Sequence, residues 1–127
     1  IIVPKGVWYE KDMLTFYREK KSSQSGSIDL AEYLKEKIEI QVDSLDNILD
    51  EIDISAGIQF MIIQLNGAEI DALSGLTKYS PKHFAIASRY KKAGKSTTPL
   101  IVNLLRSRKY NISVIQHQFI FAHLDNT

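Results

Sequence analysis

The chain has 127 residues, 44% of them hydrophobic and 24% charged, with a formal net charge of +1. Such a chain is long and apolar enough for one globular domain, 1–127, with its own core, so a disordered segment is not the default reading. It has no cysteine, which excludes disulfides, thiolate nucleophiles, sulfur-built zinc centres and iron–sulfur clusters by inventory.

Ile1 to Tyr9 is an extended, partly apolar lead-in punctuated by Pro4 and Gly6, without the basic and long apolar regions of a signal peptide. A cytoplasmic location is therefore expected. Glu10 to Lys20 carries apolar positions at Met13, Leu14, Phe16 and Tyr17, the spacing of a short amphipathic helix. Lys20 to Ser27 is small, polar and unperiodic and reads as a mobile surface loop.

From Asp29 to Ile52, apolar residues recur at intervals of three and four (Leu30, Tyr33, Leu34, Ile38, Val42, Leu45, Ile48, Leu49), predicting a long acidic central helix. Asp29 and Glu32 are spaced as a capping box. The region from Asp53 to Gly75 fits two patterns. Ile58, Met61, Ile62 and Leu65 suit a helical face, whereas Asn66-Gly67 between apolar runs suits a hairpin. The Asn-Gly pair tips the reading toward strands. The apolar run Ile58 to Leu65 is also the longest in the chain, and it is far too short to span a bilayer, so no membrane partner is expected.

Ser80-Pro81 and Thr98-Pro99 each place a capping side chain before a proline suited to the first helical turn. They predict helices from Pro81 to about Lys92 and from Pro99 to about Lys109, joined by the short Gly-containing segment Ala93 to Thr97. That is the layout of a helix-turn-helix. Ile112 to Leu124, rich in Ile, Val and Phe, predicts a terminal strand. Its Asn111-Ile112-Ser113 triplet fits a glycosylation acceptor, a pattern common by chance. The expected fold is thus α+β, mainly helical, with the long acidic helix, the basic helical pair and a small antiparallel sheet that includes the C-terminal strand.

Charge is distributed unevenly. Between Ala72 and Leu124 lie Lys78, Lys82, Arg89, Lys91, Lys92, Lys95, Arg106, Arg108 and Lys109, with no Asp or Glu. Upstream, Asp29 to Asp71 holds eleven acids against Lys35 and Lys37. An acid-free basic block is the footprint of a surface that docks on phosphates, because Lys and Arg release condensed counterions there. The expected function is nucleic-acid binding, with Arg89, Lys91, Lys92, Lys95, Arg106, Arg108 and Lys109 on phosphates and Asn103 as the base reader of the second helix. The opposing reading is a basic face that pairs with the protein's own acids, or with those of a second copy or an acidic protein partner.

Gly94-Lys95-Ser96-Thr97 resembles the end of a phosphate-binding loop. The upstream glycine of that motif would fall at Arg89, so a nucleotide triphosphatase is excluded, although the run still suits a single phosphate before a helix. All three histidines, His83, His117 and His123, fall in the basic block. On one extended strand His117 and His123 would lie about 20 Å apart, too far to share an ion. No metal or cofactor is expected. The alternative to plain binding is a small metal-independent ribonuclease, in which His117, His123 or His83 move protons while Lys and Arg stabilise the phosphorane.

Overall fold

The structure is a computed structural model that describes residues 1–19, 35–89, 91–116 and 118–125. Three strands form a first sheet: β1 (Gly6–Val7), β2 (Asp12–Glu19) and β3 (Lys35–Asp43), in the order β1-β3-β2. β1 runs parallel and β2 antiparallel to β3, with Leu14 opposite Ile40 and Phe16 opposite Ile38 on one face, and Thr15 opposite Glu39 on the other.

This sheet overturns two expectations. The short helix over 10–20 is β2, and the long acidic helix over 29–52 is β3 followed by only a six-residue helix, α1 (Leu45–Asp50). Residues 29–34, like the expected loop over 20–27, lie outside the described residues. The physical reason is local. Lys37-Ile38-Glu39-Ile40-Gln41-Val42 alternates strictly, with a β-branched residue at every second position, and such residues lose little on a pleated surface and are stiff in a helix. The helical stripe took in Ile38 and Val42 and passed over Ile40.

α1 begins at Ser44, whose hydroxyl accepts from the Asn47 amide at 3.2 Å. After it come β4 (Phe60–Ile63), α2 (Glu69–Ser74) and β5 (His83–Ala87), with β4 and β5 parallel. Asn66-Gly67 is a turn with both residues at positive φ, 54° and 109°. It leads into α2 rather than a second strand, so β4 is joined to its neighbour by a crossover and not by a hairpin.

α2 ends at Gly75, where backbone crowds backbone. A Cβ there would lie 2.9 Å from the Trp8 carbonyl oxygen, 3.0 Å from Ser44 Cβ and 3.2 Å from the Tyr9 carbonyl oxygen. Gly75→Ala is therefore expected to cost about 1–3 kcal/mol by overpacking, read as a lower urea midpoint. A midpoint equal to the parent's would show that this approach is not tight.

The basic pair is not a helix-turn-helix. Its first member is strand β5, and its turn is a two-residue hairpin, β6 (Lys91–Lys92) and β7 (Lys95–Ser96), closed by Ala93 and Gly94 at φ 52° and 75°. Only the second member is a helix, α3 (Thr98–Ser107), and Pro99 sits in its first turn. Phe84-Ala85-Ile86-Ala87 is buried throughout, and a short continuous apolar run carries no periodicity that separates strand from helix. Pro81 precedes the strand, and its carbonyl accepts from the Tyr110 hydroxyl at 2.6 Å.

The terminal strand is two strands, β8 (Asn111–Gln116) and β9 (Phe119–His123), antiparallel to each other. β9 enters between β5 and β8, completing a mixed four-stranded sheet in the order β4-β5-β9-β8. The fold is mainly strand and not the mainly helical one expected: nine strands and three helices are present among the described residues, and α3, at ten residues, is the longest helix. No described helix is long and apolar enough to cross a membrane.

The core lies on the inner face of the four-stranded sheet. Ile63, Phe84, Ile86, Ile120 and Ala122 face Leu49 of α1, Leu73 of α2, and Ile101, Val102 and Leu105 of α3. The segment after α2 ties the three helices together. Asp46 accepts from Thr77 and Lys78, Asp50 accepts from Lys78 Nζ at 2.7 Å and Tyr79 Oη at 2.5 Å, and Arg108 donates to the Leu76 carbonyl at 2.7 Å.

Candidate nucleic-acid interface on the outer sheet face

Because side chains alternate along a strand, the outer face of the four-stranded sheet carries what the core does not take. Register aligns Phe60 of β4, His83 of β5, His123 of β9 and Asn111 of β8 in one row across the sheet. A second row holds Ile62, Ala85 and Phe121, and a third Ala87 and Phe119. Phe60 and Ile62 are 53% and 67% exposed, figures that set this face apart from the closed core behind it.

The first row is an aromatic track. Phe60 and His83 have ring centroids 6.3 Å apart at an interplanar angle of 21°, and His83 and His123 are 6.4 Å apart at 29°. Phe119 and Phe121 form a second pair at 6.4 Å and 33°. Ala85 and Ala87, on the same face, are themselves buried. None of the outward side chains named in these rows is acidic.

His123 is held in place by its neighbours. Its Nδ1 lies 2.5 Å from Ser113 Oγ, and its Nε2 lies 3.8 Å from Asp125 Oδ1. Ser113 reaches the ring because β8 shifts register between Ile112 and Val114, where one extra residue opposes β9. Beyond that bulge Ile115 pairs with Ile120, a core residue. Ile115 therefore lies on the opposite face of the sheet from Phe119, Phe121 and His123.

The basic block is divided between two ends of the sheet and the far side of α3. Lys82 precedes His83, with its carbonyl accepting from the Leu124 amide at 3.0 Å. Arg106 and Lys109 border a polar cleft of about 620 Å³ together with Asn111 and Asp125, at the β8 end of the histidine row. Arg89 follows β5 at the other end, near the exposed hairpin that carries Lys91, Lys92 and Lys95. Lys92 there is paired with Asp71, at 2.8 and 3.0 Å.

Arg108 is half-buried beneath the Leu76 carbonyl, and burial pushes its guanidinium below the usual arginine value, against the opposing pull of Tyr110 and Asp46. Asn103 is exposed on α3, a helix whose buried side lies against the sheet's inner face, so it stands away from the aromatic rows. His117 lies outside the described residues. Among the described residues no three His, Asp or Glu side chains come together as a metal site.

A second concavity, of about 660 Å³, separates the apolar face of the first sheet from the body. Its walls include Trp8, Leu14, Phe16 and Ile40 on one side and Asp71, Lys91 and Lys92 on the other. Lys92 and Asp71, which pair with each other, both belong to that second wall.

The sequence alone gives His83 and His123, with Phe121 on the face of His123, but not Phe60 or Ser113 as their companions. The alternation Phe119, Phe121, His123 was the available signal for β9. Nothing local joins Phe60 to His83, since their pairing is made by the β4–α2–β5 crossover. The chain matches no protein-family model, no curated protein and no solved structure, so the reading of this face rests on its geometry.

Proposed function

We propose that the outer face of the four-stranded sheet binds single-stranded nucleic acid, with bases stacked on its rings and phosphates held by the cations at its histidine end. The observation that carries this reading is the row Phe60, His83 and His123, three rings on three adjacent strands inclined to one another by 21° and 29°. Splayed bases stack on aromatic platforms of this kind whatever their sequence, each worth about 1–3 kcal/mol, and basic rims supply the salt-dependent remainder. Arg106 and Lys109, across the polar cleft from Asp125, are suited to that rim.

A duplex keeps its bases inside the stack, so the expected preference is for single strands. Anisotropy titration of labelled single- and double-stranded oligonucleotides across a salt series tests this. The Phe60→Ala and Phe121→Ala pair should weaken single-strand binding by roughly tenfold or more. Arg106→Glu with Lys109→Glu should flatten the salt dependence. If Lys91→Glu with Lys92→Glu abolishes binding while the phenylalanine variants leave it intact, the basic hairpin and not the sheet face is the surface. Absence of binding at low salt, with concentration-dependent self-association, would make the exposed phenylalanines a protein contact instead.

A further inference from the structure

We propose that His83 and His123 together cleave RNA lying on this face, by transfer of the phosphodiester to the neighbouring 2′-hydroxyl. The inference rests on the reading of the face as a single-strand platform and adds a reaction to it. Two imidazoles occupy opposed positions on adjacent strands with centroids 6.4 Å apart, and no other side chain stands between them in the register. An in-line displacement at phosphorus needs one group at the attacking oxygen and another at the leaving oxygen, each within about 2.6–3.2 Å. The two rings are inclined by only 29°, so their nitrogen-bearing edges, and not the gap between their faces, are what a phosphodiester lying along the row meets.

The step balances without any further reactant. One imidazole takes the proton of the 2′-hydroxyl as that oxygen forms its bond to phosphorus. The bond from phosphorus to the 5′ oxygen breaks, and the other imidazole delivers a proton to that oxygen. The products are a 2′,3′-cyclic phosphate and a free 5′-hydroxyl. Ser113 acts as a positioning residue, since its hydroxyl at 2.5 Å from Nδ1 of His123 fixes that ring by one nitrogen, and Nε2, 3.8 Å from Asp125 Oδ1, is the nitrogen that meets the substrate. Lys109, at the Asn111 end of the row, is the cation available for charge developing on the phosphorane.

The full chain is incubated with a labelled single-stranded RNA in excess chelator, beside the same sequence as DNA and as 2′-O-methyl RNA, with binding of the 2′-O-methyl strand measured in parallel. The expected result is fragments of the RNA ending in cyclic phosphate, with both other strands intact. At saturating protein, where weakened affinity no longer matters, His83→Phe and His123→Phe should each slow cleavage by about 100-fold or more. Ser113→Ala should slow it by about tenfold and Ser113→Thr restore it, a rescue that a merely packing role would not give. Melting curves of each variant check the fold.

Binding of the 2′-O-methyl strand without cleavage of RNA would overturn this inference and leave the platform standing. Absence of binding and cleavage would overturn both. Cleavage of the DNA, or RNA cleavage undiminished in the His83→Phe, His123→Phe double variant, would overturn the assignment of the reaction to this pair.

Discussion

Asp46→Ala is expected to lower the unfolding free energy by about 3 kcal/mol, roughly 10 °C in Tm for a chain of this size. The Asp46 carboxylate is 9% exposed and accepts from the Thr77 amide at 2.9 and 3.0 Å, from the Thr77 hydroxyl at 2.7 Å and from the Lys78 amide at 2.9 Å. Its own amide donates to the Gly75 carbonyl at 3.0 Å, so the segment after α2 is gripped from both ends of one residue. Truncation leaves the part-buried Thr77 and Lys78 amides with no protein acceptor, and a donor stranded in that way costs more than the bond itself was worth. Asp46→Asn retains one acceptor oxygen and should lose about half as much. Urea denaturation of the three proteins reads the difference. If alanine and asparagine cost the same, or neither costs 1 kcal/mol, the carboxylate is not the clasp described.

Glu69 carries the second large effect, with Glu69→Ala expected to cost about 2–3 kcal/mol. Its side chain has no exposure at all, yet it reaches back from the start of α2 to the turn before it. One oxygen accepts from the Leu65 amide at 3.0 Å and the Gly67 amide at 3.1 Å, and the other accepts from Gly67 at 3.1 Å. Asn66 and Gly67 are both at positive φ, and the carboxylate satisfies donors that such a turn points inward. The signature beyond global stability is local. Amide exchange of Leu65 and Gly67 should accelerate in Glu69→Ala more than exchange of the β5 amides. Uniform acceleration across β4, α2 and β5 would mean that the side chain supports the core and not the turn.

These two acids show where the sequence was legible and where it was not. α3 was readable because Pro99 and the stripe Ile101, Leu104, Leu105 agree, and local signals alone decide a ten-residue amphipathic helix. β4 and the Asn66-Gly67 turn were readable too, but the helix after the turn was not. Glu69 and Asp71 carry no pattern that says helix rather than strand until the crossover to β5 exists. Along the chain, the carboxylates of the helix expected over 29–52 are spaced as a solvated face. In the fold Asp43, Asp46 and Glu69 are buried acceptors, for the Ser44 amide, the Thr77 and Lys78 amides, and the Leu65 and Gly67 amides. Burial of a carboxylate needs donors brought in from elsewhere, and spacing along the chain does not reveal them.

The candidate site divides in the same way. His83 and His123 were visible as residue types, while their adjacency depends on β9 inserting between β5 and β8, a long-range event. The charge asymmetry had a plain part of its explanation within the chain, since Lys78 is paired with Asp50 and Lys92 with Asp71. Arg106 and Lys109, at the histidine end, are the part of the block that the proposed function uses.

The irregularity in β8 gives the site an unusual dependence on counting. Ser113 meets His123 because one residue more than regular pairing requires is present between Ile112 and Val114. A chain shortened by that one residue would keep every histidine, every phenylalanine and the pairing of β5 with β9. It would straighten the edge strand and take the hydroxyl from the imidazole. The spacing of the edge strand, as much as the identity of its side chains, thus sets how His123 is held, and homologues with unbroken alternation at this point would share the fold without sharing the orientation of that ring.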